Sequence, residues 1–114
     1  MFQNAFTAPV PQIEIDEFKK ELESGATVID VREPSEYANG HVANAISIPL
    51  SSLGTRLEEI PKDKEVYIIC ELGGRSYSAA EALNQIGVKA ISVNGGTSGW
   101  QKAGNPVVTG DSPS

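Results

Sequence analysis

The sequence predicts an α/β domain whose mostly parallel sheet is covered by helices on both faces. Short β-branched runs alternate along the chain with stretches of helical periodicity, the order that a parallel sheet with helical crossovers requires. The runs at 26–31 and 65–69 are mostly apolar, as strands covered on both faces should be. Gly and Pro mark nearly every junction, and 114 residues suffice for one domain but not two.

The elements follow in order. Residues 1–10 show no periodicity and are expected to form a flexible arm, with the domain spanning 11–108. A short strand at 12–14 precedes a helix that Asp16 can cap, with Phe18 and Leu22 on one face and an end near Gly25. After the strand at 26–31, Pro34 suits the first turn of a helix, Tyr37 faces inward and Gly40 stops it. A strand at 43–48 is closed by Pro49, which has no N–H for a ladder. Ser51 or Ser52 can cap a helix presenting Leu53, Leu57 and Ile60, and Pro61 ends it. The strand at 65–69 leads through a loop to a helix beginning at Ser76, with Ala79, Ala80, Leu83 and Ile86 as its apolar stripe and Gly87 past its end. A last strand at 88–93 turns at Asn94-Gly95-Gly96 into a short helix carrying Trp100, and residues 109–114 are expected to be a disordered tail.

Composition narrows the function classes. A net charge of −6 argues against a nucleic-acid partner, whose phosphates need a basic surface. Cys70 is the only cysteine and His41 the only histidine, so neither an internal disulfide nor a Cys/His metal cluster can form, and no metal or cofactor is expected. A lone thiol fits a reducing compartment. The first nine residues lack the basic start of a signal peptide, and no apolar run approaches the roughly 20 residues that span a bilayer. A cytoplasmic protein without a membrane partner is the expectation.

The most informative stretch surrounds Cys70, at the carboxyl end of the strand at 65–69, where open parallel sheets place ligand sites. Glu71, Leu72, Gly73, Gly74 and Arg75 follow, and Ser76 opens a helix. Free N–H groups at a helix N-terminus, the dipole and a guanidinium together favour a thiolate over a neutral thiol. The competing role for Cys70 is small apolar filler, which predicts an ordinary connection after it rather than two glycines, an arginine and a serine. Loop length discriminates further. Cysteine-dependent phosphatases resemble C-x5-R, a ring that holds a phosphate, whereas here the spacing is C-x4-R. The shorter ring fits a single sulfur-sized anion, and Glu71 beside the cysteine would repel a dianionic phosphate.

The motifs, taken in order, resemble the single-domain rhodaneses, which are sulfurtransferases. They are Val28-Ile29-Asp30-Val31-Arg32-Glu33-Pro34, Gly40-His41-Val42-Ala43-Asn44-Ala45, Cys70-Glu71-Leu72-Gly73-Gly74-Arg75-Ser76, Gly95-Gly96 with Gly99-Trp100, and Gly104-Asn105-Pro106. The resemblance covers about 13–107 and implies a five-stranded parallel sheet. It also implies a Cys70 persulfide and transfer of sulfane sulfur from an anionic donor, thiosulfate or a persulfide, to a thiol or cyanide. A sulfur-accepting protein is a further partner of this kind.

Within that frame the amides from Glu71 through Ser76 would hold the persulfide anion. Arg32, just past a strand end, matches an arginine that contacts the substrate anion in the family, and its alternative role is a surface ion pair. Arg75 suits either the substrate or a loop-fixing bond to backbone carbonyls or to a carboxylate such as Asp30 or Glu71. Asp30 and His41 read as structural support. Two further readings stand beside the enzyme: a non-enzymatic rhodanese-like sulfur carrier or partner-binding module, and a cysteine-dependent phosphatase or arsenate reductase.

Overall fold

A computed structural model describes residues 9–114. In chain order it contains β1 (Gln12–Ile13), α1 (Ile15–Glu23), β2 (Thr27–Asp30), α2 (Pro34–Asn39) and β3 (Ile46–Ser47). Two 3-10 turns follow (Leu50–Thr55 and Leu57–Glu59), then β4 (Glu65–Ile69), α3 (Gly74–Gln85), β5 (Lys89–Val93) and α4 (Gly96–Lys102). The five strands are all parallel in the order β1-β5-β4-β2-β3, so the central strand is β4, the one that ends at Cys70.

Side-chain alternation sorts the core onto two faces. Val66 and Ile68 of β4 and Cys70 just after it join Ala79, Ala80 and Leu83 of α3, Leu53 of the first 3-10 turn and Ile60 just after the second. Tyr67 and Ile69 point the other way, to Phe18 of α1, Tyr37 of α2 and Trp100 of α4. There Phe18 packs edge-on to Trp100 at 5.7 Å between ring centroids. The period of two thus turns the sulfur toward α3.

Local departures from the sequence reading have local causes. α1 begins at Ile15, with Glu14 at its N-cap and Asp16 in its first turn, where a carboxylate complements the dipole. β3 has two residues rather than six because Asn44 adopts φ 70°, which interrupts an extended run. The 50–60 segment is 3-10 rather than α: Gly54 lowers helix propensity within it, and Arg56 at φ −125° divides it. Leu53 and Ile60 are buried all the same. Ile86 lies beyond the last helical residue of α3 and is 46% exposed, so the buried stripe is Ser76, Ala79, Ala80 and Leu83.

The arm expected over 1–10 lies, for residues 1–8, outside the described residues, and Val10 is buried in the α3-side core. Residues 109–114, expected as a disordered tail, make backbone contacts with α2 and the α2–β3 connection: Gly110 N–H donates to Ala38 O at 2.8 Å and Asn44 N–H to Pro113 O at 2.9 Å. Among the described residues no helix is long and apolar enough to cross a membrane.

The start of α4 fixes the chain just after β4. Thr97 donates to Cys70 O from both its N–H (2.8 Å) and its Oγ1 (3.0 Å), and Ser98 N–H donates to Glu71 O at 3.0 Å. This approach is possible because residue 96 is glycine at φ +59°; a Cβ there would stand 2.5 Å from Glu71 O and 2.6 Å from Cys70 O. Gly96→Ala is therefore expected to destabilise by at least the ~1–3 kcal/mol of core overpacking, because backbone rather than a flexible side chain must yield. Urea unfolding checks this, and an unchanged midpoint would contradict the close approach.

Candidate active site

Cys70 is 1% exposed and lies at the mouth of a turn that leads directly into α3. Gly73, the N-cap of that helix, adopts φ +123°, a conformation that disfavours any Cβ. With this turn, Gly73 N–H donates to Cys70 Sγ at 3.1 Å and Ser76 N–H at 3.3 Å. Ser76, expected to open the helix, lies in its first turn, with its Oγ 3.4 Å from Sγ and donating to Gly73 O at 3.1 Å. The first intrahelical bond runs from Tyr77 N–H to Gly73 O, so the N–H groups of Gly74 and Arg75 have no intrahelical acceptor. Cys70 O and Glu71 O are turned away by α4, which leaves the sulfur facing donors. Gly74 has open space around it and no positive φ, so of the two loop glycines only Gly73 is conformationally required.

The arginines lie differently from their expected places. Arg32 is 3% exposed, and its guanidinium holds Asp30 through Nε (3.0 Å) and Nη2 (2.8 Å), Gly40 O through Nη2 (2.8 Å) and Glu71 through Nη1 (3.0 Å). Expected at the rim against a substrate anion, it is instead spent on protein acceptors. Asp30 and Arg32 continue the alternation of Val28, on the face opposite α3. Burial by itself would lower the Arg32 pKa, but the bonds to Asp30 and Glu71 hold it above its ordinary value. Asp30 also accepts Arg32 N–H at 3.0 Å, so its buried carboxylate is fully engaged.

Arg75 pairs with neither Asp30 nor Glu71. It makes a two-pronged bond to Glu36 of α2, at 2.7 and 2.9 Å, which ties the first turn of α3 to the other side of the sheet. That hydrogen bond is the main reason the Glu36 carboxyl is pulled down to about 2 and the Arg75 guanidinium is held above its ordinary value. Leu72, at the loop tip, is 69% exposed. His41 is fully buried away from the loop, stacked on Tyr37 with centroids 3.6 Å apart, its ring nitrogens facing Tyr37 O and Ser112 O.

An open cleft of about 240 Å³ lies beside the loop, lined by Arg32, Glu36, Asn39, Gly40, Glu71 and Gln101. A larger hollow of about 430 Å³ between Leu22 and Trp100 contains no loop residue. Among the described residues no group of His, Cys, Asp and Glu could hold a metal ion. The sequence reading passed over Thr97, Ser98, Ser92 and Glu36. A serine inside the apolar run 88–93 was a visible signal for Ser92, whereas nothing in the spacing pairs Glu36 with a residue 39 positions away.

Because the Glu36 carboxyl is depressed in the folded state, the pair contributes stability above the ordinary carboxylate value of 4.5 and loses it as pH falls toward about 2. Both side chains are a third or more exposed, which limits the contribution to the ~0.2–1 kcal/mol of screened pairs. Glu36→Gln is expected to lower unfolding free energy by that amount at pH 7, with the difference from the parent shrinking below pH 4.5 and vanishing only below about pH 2.

The profile of the rhodanese-like domain matches residues 14–103. A sulfurtransferase of Allochromatium vinosum is 38% identical over 82 residues, covering 71% of this chain and 77% of that protein. The thiosulfate sulfurtransferase GlpE of Actinobacillus pleuropneumoniae is 35% identical over 86 residues, covering 75% of this chain and 80% of that one. The crystal structure of a rhodanese-related protein from Thermoplasma volcanium superposes with a TM-score of 0.81 at 38% identity, over 86% of this chain and 97% of that one. A parallel sheet in this strand order, a cysteine at the end of its central strand and a match over most of the length lead to one assignment: the chain belongs to the rhodanese-like domain family.

Proposed function

We propose that the protein is a sulfurtransferase that carries sulfane sulfur on Cys70. The observation that supports this most directly is the pair of backbone donors on Cys70 Sγ, Gly73 N–H and Ser76 N–H, at the start of a helix. The thiolate attacks the outer sulfur of a donor. An S–S bond forms on Cys70 as the donor's own bond to that sulfur breaks, and the donor remnant leaves with the electron pair. An acceptor thiolate or cyanide then attacks the terminal sulfur, and Cys70 leaves as thiolate. No net oxidation occurs and no cofactor is needed.

In this reading the N–H groups of Gly74 and Arg75, free of intrahelical acceptors, serve the terminal sulfur, while Gly73 and Ser76 serve the inner one. Asp30, Arg32 and Glu71 hold the loop rather than the donor. Since Arg32 and Arg75 both bond carboxylates, a dianionic donor meets no uncommitted guanidinium, and a persulfide suits the site better than thiosulfate. The same commitment of Arg75, with the C-x4-R spacing, disfavours a phosphatase or arsenate reductase. The burial of Cys70 favours, as a second reading, a non-enzymatic carrier that passes its sulfur to one docked partner.

Incubation with a low-molecular-weight persulfide is expected to add one sulfur atom to the intact mass, and with cyanide to release thiocyanate over many turnovers. Retained activity in Cys70→Ser would overturn the nucleophile; an adduct without turnover would favour the carrier. Gly74→Ala is expected to keep the stability of the parent, whereas Gly73→Ala, forced to a positive φ, is expected to lose more than ~1 kcal/mol of stability. Equal behaviour of the two variants would contradict the assigned loop geometry.

A further inference from the structure

Beneath the sulfur lies a second buried hydroxyl that the proposed reaction has not used. Ser92 of β5 is 1% exposed and shares the α3-side face with Ala90, two residues before it. It stands in register with Ile68, two residues before Cys70. Its Oγ lies 2.8 Å from Ser76 Oγ, its one hydrogen-bond partner among the described residues.

The direction of that bond follows from counting protons. A hydroxyl has one proton to give and two lone pairs to receive. Were Ser76 the donor, the Ser92 proton would be buried without an acceptor, at a cost of about 1–3 kcal/mol. Ser92 therefore donates to Ser76, and the single Ser76 proton is directed elsewhere. Two acceptors are in reach: Gly73 O at 3.1 Å and Cys70 Sγ at 3.4 Å. Gly73 O already accepts Tyr77 N–H at 3.0 Å, so it can release the Ser76 proton without becoming unsatisfied.

We propose that Ser92 is a positioning residue for Cys70, acting through Ser76 as a one-way hydroxyl relay. With a thiol at position 70, S–H donates to Ser76 Oγ and Ser76 donates to Gly73 O. When sulfur loses its proton, the Ser76 hydroxyl rotates to it and becomes a third donor beside Gly73 N–H and Ser76 N–H. Ser92 keeps donating to Ser76 in both states, and this polarises the Ser76 hydroxyl in favour of the anion. The charged groups around the loop are Asp30, Arg32, Glu36, Glu71 and Arg75, contributed by β2, the β2–α2 connection, α2, the loop and α3. β5 contributes none beside Ser92, since Lys89 pairs with Glu65 at the far end of the sheet.

This inference rests on Cys70 being the nucleophile, and it is tested without any sulfur donor, so a failure of sulfur transfer and a failure of the relay are separate results. Cys70 is the only thiol in the chain, so the rate of alkylation by iodoacetamide, followed by intact mass across pH, reports on it alone. Ser92→Ala is expected to move the midpoint of the profile upward by roughly half a pH unit, and Ser76→Ala by about one unit. The double variant is expected to match Ser76→Ala, and Ser92→Thr, which keeps the hydroxyl, to restore the parent midpoint. An unmoved profile in Ser92→Ala overturns the relay. So does a Ser92→Ala shift that persists undiminished in the Ser76→Ala background, because Ser92 would then act by packing alone.

Discussion

The site depends on the capture of two carbonyl groups by the start of α4. A peptide unit that points its C=O at the sulfur would repel a thiolate, and the turn after β4 is short enough that each carbonyl must be assigned somewhere. Thr97 takes Cys70 O twice over and Ser98 takes Glu71 O, on the side of the loop away from the sulfur. With those oxygens removed, the amides of Gly73 and Ser76 are left to converge on Sγ. The bare Cα of Gly96 is what lets the two backbones come this close.

Around this contact the polar residues divide into two layers. On one face the sulfur, Ser76 and Ser92 form a buried hydrogen-bonded group under α3. On the other, Asp30, Arg32 and Glu71 form a charged chain that reaches Gly40 O, while Arg75 and Glu36 bind the first turn of α3 to α2. Buried charge is tolerable only when paired and fully bonded, and Arg32 meets that condition with protein acceptors alone. Charge therefore shapes the loop from behind, and backbone dipoles and hydroxyls face the sulfur. That separation explains how a chain of net charge −6 can present an anion-favouring cradle.

Much of the architecture was legible because it is governed by short-range rules. Apolar runs bounded by Gly and Pro located all five strands, and β4 spans the residues its sequence predicts, buried from Val66 onward. Hydrophobic spacing alone does not separate 3.6 from 3.0 residues per turn over so few residues, so the segment at 50–60 reads as α in the sequence and is 3-10 in the structure. Ile86 was assigned to the core by periodicity although the helix had already ended.

By itself the sequence determined the strand, the single cysteine, the C-x4-R spacing and the presence of a helix after the loop, which starts at Gly74 rather than at Ser76. Backbone geometry then follows from nearest neighbours: an apolar β-branched run must bury itself, and glycines permit the tight turn into α3. The tertiary structure alone decided what each arginine is spent on, which glycine is indispensable, and that Thr97 and Ser92 stand against the sulfur's loop. Those outcomes depend on residues 16 to 39 positions apart being brought to hydrogen-bond distance by strand order and register, and no local pattern encodes such a meeting.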